Sequence, residues 1–156
     1  EKIQACIQNA KKVKELIAKH GSMQNYINSF SPKESFENLI LLKESLEASF
    51  QYLGGITVYH FMTDIGLNVL KPDRVLTRIF SRLGLIENER QLLETVIHGR
   101  KFAAATQLPI RYVDIIFVAY GQASSEQYGV DKGICLKEEP RCSECPLTKQ
   151  HCNFRQ

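Results

Sequence analysis

Long hydrophobic runs are missing from this chain. The longest, "IIFVAY" at 115–120, falls far short of the roughly 20 apolar residues that a membrane-spanning helix needs. The opening "EKIQACIQNA" likewise lacks the apolar core of a signal peptide. Both absences point to an intracellular protein, in the cytoplasm and nucleoid or in the nucleus, with no membrane partner. Alternation of period two bounded by turns is lacking as well, which argues against a sheet, and there is no internal repeat or low-complexity tract. Charge of one sign is only mildly in excess. Twenty Lys and Arg against 17 Asp and Glu leave +3, enough to permit an anionic partner without demanding one. Cysteine is scarce outside the tail: Cys6 alone lies there, on the apolar side of the first helix beside Ile3 and Ile7, where a plain core residue is expected. The chain also opens without methionine and within a helical pattern, which points to an N-terminal segment that has been removed or is supplied by a second chain.

What is present is helical periodicity. Apolar residues recur at Ile3, Ile7, Val13, Leu16 and Ile17, at Leu39, Leu42 and Leu46, and at Val75, Leu76, Ile79, Phe80 and Leu83. The spacing predicts an all-α protein with helices over 1–19, 22–29, 34–51, 57–65, 72–83, 88–98, 100–106 and 109–122. Short connectors such as "SFSP" at 29 and "LGG" at 53 separate them. At 156 residues and 44% hydrophobic, the chain can bury one core or two small lobes sharing a cleft. Charge is unevenly spread: Lys2, Lys11, Lys12, Lys14 and Lys19 fall in the first twenty residues, whereas Glu34, Glu37, Glu44 and Glu47 fall in 33–50.

Four of the five cysteines, Cys135, Cys142, Cys145 and Cys152, are gathered in "GICLKEEPRCSECPLTKQHC". In a reducing compartment such a group reads as metal ligands rather than disulfides. A zinc ribbon presents two close Cys-x-x-Cys pairs, and here only Cys142 and Cys145 form one. Four thiolates on one short loop favour a [4Fe–4S] cluster, with zinc as the alternative.

The segment "KEEPRCSECPL" with its flanking cysteines resembles the iron–sulfur loop of the endonuclease III and adenine glycosylase group of DNA repair enzymes, although the last interval is one residue longer than the usual five. Residues 2–67, from "KIQACIQNAKKVKELIAKHGSMQNYINSF" through "FQYLGGITVYHFMTDIGL", resemble bacterial 3-methyladenine DNA glycosylase I. "KPDRVLTRIFSRLGL" resembles the segment of the wider helix-hairpin-helix glycosylase superfamily that carries the catalytic aspartate at a helix start.

These resemblances imply a two-lobed helix-hairpin-helix glycosylase fold that lacks some N-terminal helices. The hairpin lobe would span 1–70 and the iron–sulfur lobe 71–156. A tight turn at Gly54, Gly55, Ile56 and Thr57 would offer main-chain amides to a DNA phosphate, with Thr57 standing where the family has a second glycine. Tyr59 occupies the place of the lysine that forms a Schiff base in lyase-active relatives, which implies little strand nicking. Tyr59 and His60 are candidates to line the base pocket.

Pro72 suits a helix's first turn, so Asp73 is expected where free amides and the helix dipole favour its ionised form. A fixed carboxylate there can stabilise the positive charge that develops on the sugar as an N-glycosidic bond breaks. Lys71 is a nearby amine that reads as solvated. Arg74, Arg78 and Arg82 recur every four residues, forming a ridge able to follow a DNA backbone. The expected activity is hydrolysis of a damaged or mismatched base from double-stranded DNA, alkylated adenine first, with a structural or redox-tuning cluster. Two alternatives are a non-catalytic DNA-binding module that keeps hairpin and cluster, and a zinc-bound helical interaction domain.

Overall fold

Gly21, Ser22, Ser35 and Asp73 mark most clearly where helices stop and start in the computed structural model, which describes residues 1–123, 132–147 and 151–154. Gly21 takes φ 82 to end the first helix, and Ser22 Oγ accepts from Asn25 N–H at 3.0 Å to begin the next. Ser35 Oγ caps the third helix in the same way, accepting from Asn38 N–H at 3.1 Å. Among the described residues the structure is all-helical, with no strand. It divides into two units, Glu1–Asn68 and Val69–Gln156.

The first unit holds α1 (Lys2–His20), α2 (Met23–Asn28), α3 (Phe36–Ser49) and α4 (Ile56–Asp64). Leu39, Leu42 and Leu46 form a fully buried stripe along α3, and Val58, Tyr59 and Met62 form that of α4, which packs on it. On α1 the structure departs from expectation. Ala5 and Leu16 are its buried residues, whereas Ile3, Ile7 and Cys6 are exposed. The inward face runs through Ala5, Asn9, Val13 and Leu16, and the Ile3–Ile7 row lies on a different face of the same helix.

The second unit holds α5 (Arg74–Arg82), α6 (Leu92–Thr106) and α7 (Ile110–Gly121), each packed on the other two. Phe80 sits at its centre, with the rings of Phe117 and Phe102 at 5.0 and 5.7 Å. The two helices expected over 88–98 and 100–106 are a single helix. Gly99 does not break α6, because the missing side chain is needed for packing: a Cβ there would lie 1.8 Å from Leu70 Cδ2. Among the described residues no single helix is long and apolar enough to cross a membrane, and the pair α6 and α7 is bent by 109° at its junction.

Candidate active site and cysteine loop

The α3–α4 turn is built by backbone that few residues adopt. Tyr52 has φ 60, and Gly55, at the start of α4, has φ 57 and ψ −121, a combination that requires glycine. Gly54, Gly55 and Thr57 are exposed, as a phosphate contact needs. The Gly55 amide, however, is already engaged: it donates to Glu47 Oε1 at 2.9 Å, and Thr57 N–H donates to the Gly54 carbonyl at 3.1 Å. Glu47 Oε2 in turn lies 2.7 Å from Lys43 Nζ. α4 itself begins without a side-chain cap.

Tyr59 is not presented to a duplex. It belongs to the apolar face of α4, is 2% exposed, and has Lys43 Nζ 5.8 Å from its ring centroid. His60 is exposed and lies 3.4 Å from Asp64.

Asp73 is the N-cap of α5, so the helix begins at Arg74, two residues later than the sequence pattern implied, and Pro72 stands outside it. The carboxylate fixes this start: Oδ1 accepts from Val75 N–H at 2.9 Å and from Leu76 N–H at 3.1 Å. Oδ2 lies 3.8 Å from Lys71 Nζ, and the Asp73 side chain remains 20% exposed. Lys71, expected to be merely solvated, is therefore ion-paired with this carboxylate.

Asp114 on α7 belongs to the same electrostatic neighbourhood. It is 1% exposed, its Oδ2 takes a hydrogen bond from Arg111, and its Oδ1 is buried without a partner. Burial pushes its carboxyl above the usual carboxylate range, and the charge of Asp73 adds to the push, while Arg111 and the Lys71 main chain oppose it. Its only signal in the sequence is a lone acid inside the apolar stretch "YVDIIFVAY".

The arginine ridge is split by the fold. Arg74 is exposed, whereas Arg78 is buried and donates through Nη2 to the carbonyls of Gly121 at 2.7 Å and Cys135 at 3.2 Å. Arg82 donates to Cys135 Sγ at 3.2 Å and to the Leu136 and Lys137 carbonyls, and its guanidinium stacks 3.9 Å from the Phe154 ring centroid. Arg78 and Arg82 are thus clamps on the cysteine loop rather than phosphate contacts. The C-terminal end of α7 and the loop supply carbonyls that a guanidinium fork can satisfy several at a time.

That loop is docked on the end of α7. Ile134 and Cys135 N–H both donate to the Tyr120 carbonyl, and Gly133 packs so closely that a Cβ would meet the Gln122 carbonyl oxygen at 2.4 Å. Cys142–Glu144 form a short 3₁₀ turn. No disulfide joins any of the four cysteines. Tyr120 Oη lies 2.9 Å from Cys145 Sγ, and burial, then Cys145, Cys135 and Cys152 together, push its hydroxyl well above the ordinary tyrosine range. Among the described residues no group of three or more His, Cys, Asp or Glu side chains is arranged to hold a metal ion. The donor chemistry nevertheless fits a thiolate-held group, because Arg82 donates to the Cys135 sulfur and the Tyr120 hydroxyl lies within hydrogen-bond distance of the Cys145 sulfur, as partners of metal-bound thiolates do.

No family model, no curated protein and no solved structure matches this chain.

Proposed function

We propose that the protein is a monofunctional DNA glycosylase of the helix-hairpin-helix superfamily, which hydrolyses the N-glycosidic bond of a damaged or mismatched base. The observation that carries this reading is the Asp73 carboxylate, held at the start of α5 by two amides on one oxygen and left one-fifth exposed. Such a group cannot turn away when positive charge develops on a sugar, so its stabilisation is ready before the bond breaks. A flipped base would have to be brought to it, since a stacked base does not offer its glycosidic bond to a protein group. The exposed Gly54–Thr57 turn and Arg74 are the remaining candidates for DNA phosphate contact.

Cys135, Cys142, Cys145 and Cys152 would hold a [4Fe–4S] cluster, with zinc as the alternative ligand-set occupant. When bound, it would cross-link the loop that Arg78 and Arg82 already tie to α5. Iron and sulfide analysis of anaerobically prepared protein distinguishes the two metals: stoichiometric zinc without iron rules out the cluster.

The function is tested with a panel of lesion-bearing duplexes, alkylated adenine first, with alkali added to cut abasic sites. Alkali-dependent cleavage of one duplex is the expected result. A second reading, a DNA-binding module without catalysis, draws support from the same geometry, because Asp73 already serves as a helix cap and ion-pairs with Lys71. Binding without base release on every duplex would favour it.

A further inference from the structure

The first unit contains a cavity of about 660 Å³ bounded by α1, α2, α4 and the stretch 50–53. Its wall is apolar, with Phe50, Tyr52 and Phe61 contributing rings, while the amides of Asn9 and Gln24 on its edge are bonded to Gln51 and Asn28; among the described residues no charged side chain lines it. This is the chemistry of a pocket for a flat, neutral ring held by its faces. Tyr52 is the unusual member. It is 60% exposed although aromatic, and it sits at φ 60, a region that residues with a Cβ seldom occupy.

The strained conformation is held from outside. Asn9 Oδ1 accepts from Gln51 N–H at 2.8 Å and Asn9 Nδ2 donates to the Gln51 carbonyl at 2.9 Å. Both main-chain polar groups of Gln51, the residue before Tyr52, are thus pinned by one side chain of α1. Backbone strain that is overdetermined in this way, and that turns an aromatic ring towards solvent, calls for an occupant.

We propose that this cavity is a nucleobase-stacking site, in which Tyr52 takes up an unpaired base of the DNA strand whose phosphate meets the Gly54–Thr57 turn. The inference rests on the reading of that turn as a DNA contact. It assigns Tyr52 no part in breaking the glycosidic bond. Tyr52 and Gly55 are three residues apart, at most about 10 Å of extended chain. Bases on one strand are spaced about 3.4 Å along the axis, so the stacked base is that of the bound phosphate or of a near neighbour. Stacking uses the face that every base has, which makes the site tolerant of sequence.

The chain has no tryptophan, so Tyr52→Trp introduces a single indole emitter at the rim. Its emission is expected to be strongly quenched by a short single-stranded oligonucleotide and by a gapped duplex, and little by the fully paired duplex. Tyr52→Gly, which relieves the positive φ and removes the ring, should weaken binding of the gapped duplex about tenfold by anisotropy and leave the paired duplex unchanged. Unquenched emission in a complex that anisotropy reports, or equal affinity of Tyr52→Gly for the gapped duplex, overturns the stacking site. The turn's own role then stands if Gly55→Val still weakens binding to both duplexes. No complex with any oligonucleotide removes both readings. A blue shift that grows with protein concentration in the absence of DNA assigns the cavity to a second copy of the chain and overturns the proposal.

Discussion

Glu47 Oε1 accepts the Gly55 main-chain N–H at 2.9 Å, so the turn expected to greet a phosphate is already occupied by one of the protein's own carboxylates. The other oxygen of Glu47 pairs with Lys43 at 2.7 Å. Burial acts to lower the Lys43 pKa, but Glu44 and Glu47 outweigh it and hold the ammonium above its usual range. A phosphate approaching Gly55 meets this negative charge first.

Glu47→Gln should therefore strengthen DNA binding. The amide oxygen can still accept from Gly55, while the repelling charge is gone and Lys43 is freed to attract the strand. Stability should fall by no more than about 1 kcal/mol, the usual worth of a partly exposed pair. Anisotropy titrations at two salt concentrations check this, and unchanged or weaker affinity of the folded variant detaches the turn from DNA.

Asp73→Asn separates the two roles of that side chain. Asparagine caps a helix about as well as aspartate, and Oδ1 can keep the Val75 and Leu76 amides, so unfolding should shift by less than about 1 kcal/mol. Base release should nevertheless drop by orders of magnitude, because the lost charge acts when the sugar becomes positive. Excision at the wild-type rate removes Asp73 from the chemistry and promotes the non-catalytic reading.

Arg74 and Arg78 should behave as opposites despite their spacing. Replacing buried Arg78 with methionine strips the Gly121 and Cys135 carbonyls of their donor, at a cost of about 2–4 kcal/mol, and should leave the salt dependence of DNA binding unchanged. Arg74→Ala, at an exposed position, should leave stability alone and lower the salt slope by about 1 if it touches a phosphate. A slope change in a folded Arg78 variant contradicts the clamp.

The contrast also marks what could be read from the sequence. The existence of α5 is legible because its signal is local, apolar residues at helical spacing after Pro72, but the pattern starts the helix at 72, whereas the Asp73 side chain caps a helix that begins at Arg74. The role of Arg78 is not legible, since the carbonyls that bury it lie 43 and 57 residues further along the chain. Spacing alone makes such an arginine look like one rung of a solvent ridge. The sequence pattern divides α6 at Gly99 for a similar reason, because glycine usually ends helices and its packing partner, Leu70, comes from a distant segment. Asp114 gave almost no signal, as a single acid in an apolar run does not reveal what it faces.

Gly99→Ala is the direct check on that packing. Alanine is the better helix former, so an open site would gain up to about 1 kcal/mol. Contact with Leu70 should instead make the variant less stable by about 1–3 kcal/mol, the range for overpacked cores. Urea unfolding decides the sign.

Asp114 predicts a pH dependence whose direction follows from its raised pKa. Its folded form holds the proton more tightly than the unfolded chain does. Below the unfolded pKa, near 3.9, both states are protonated and the group is at its most favourable. As pH rises towards the folded pKa, the unfolded chain releases its proton first, and this contribution to stability is lost by up to about 1.4 kcal/mol per pH unit. Arg111 opposes the effect and the Asp73 charge reinforces it. In Asp114→Asn the group cannot ionise, so the stability of the variant relative to wild type should improve as pH rises from about 4 to the raised folded pKa and level off above it. An amide in place of the unpartnered Oδ1 leaves a buried donor unsatisfied at a roughly constant cost of about 1–3 kcal/mol, which offsets the whole curve without changing its slope. The slope of the difference is thus the informative quantity, measured by urea unfolding of both proteins across this range. A difference that does not vary with pH means that burial leaves the Asp114 carboxyl where an exposed one would be, and removes it from the electrostatics of the Asp73 site.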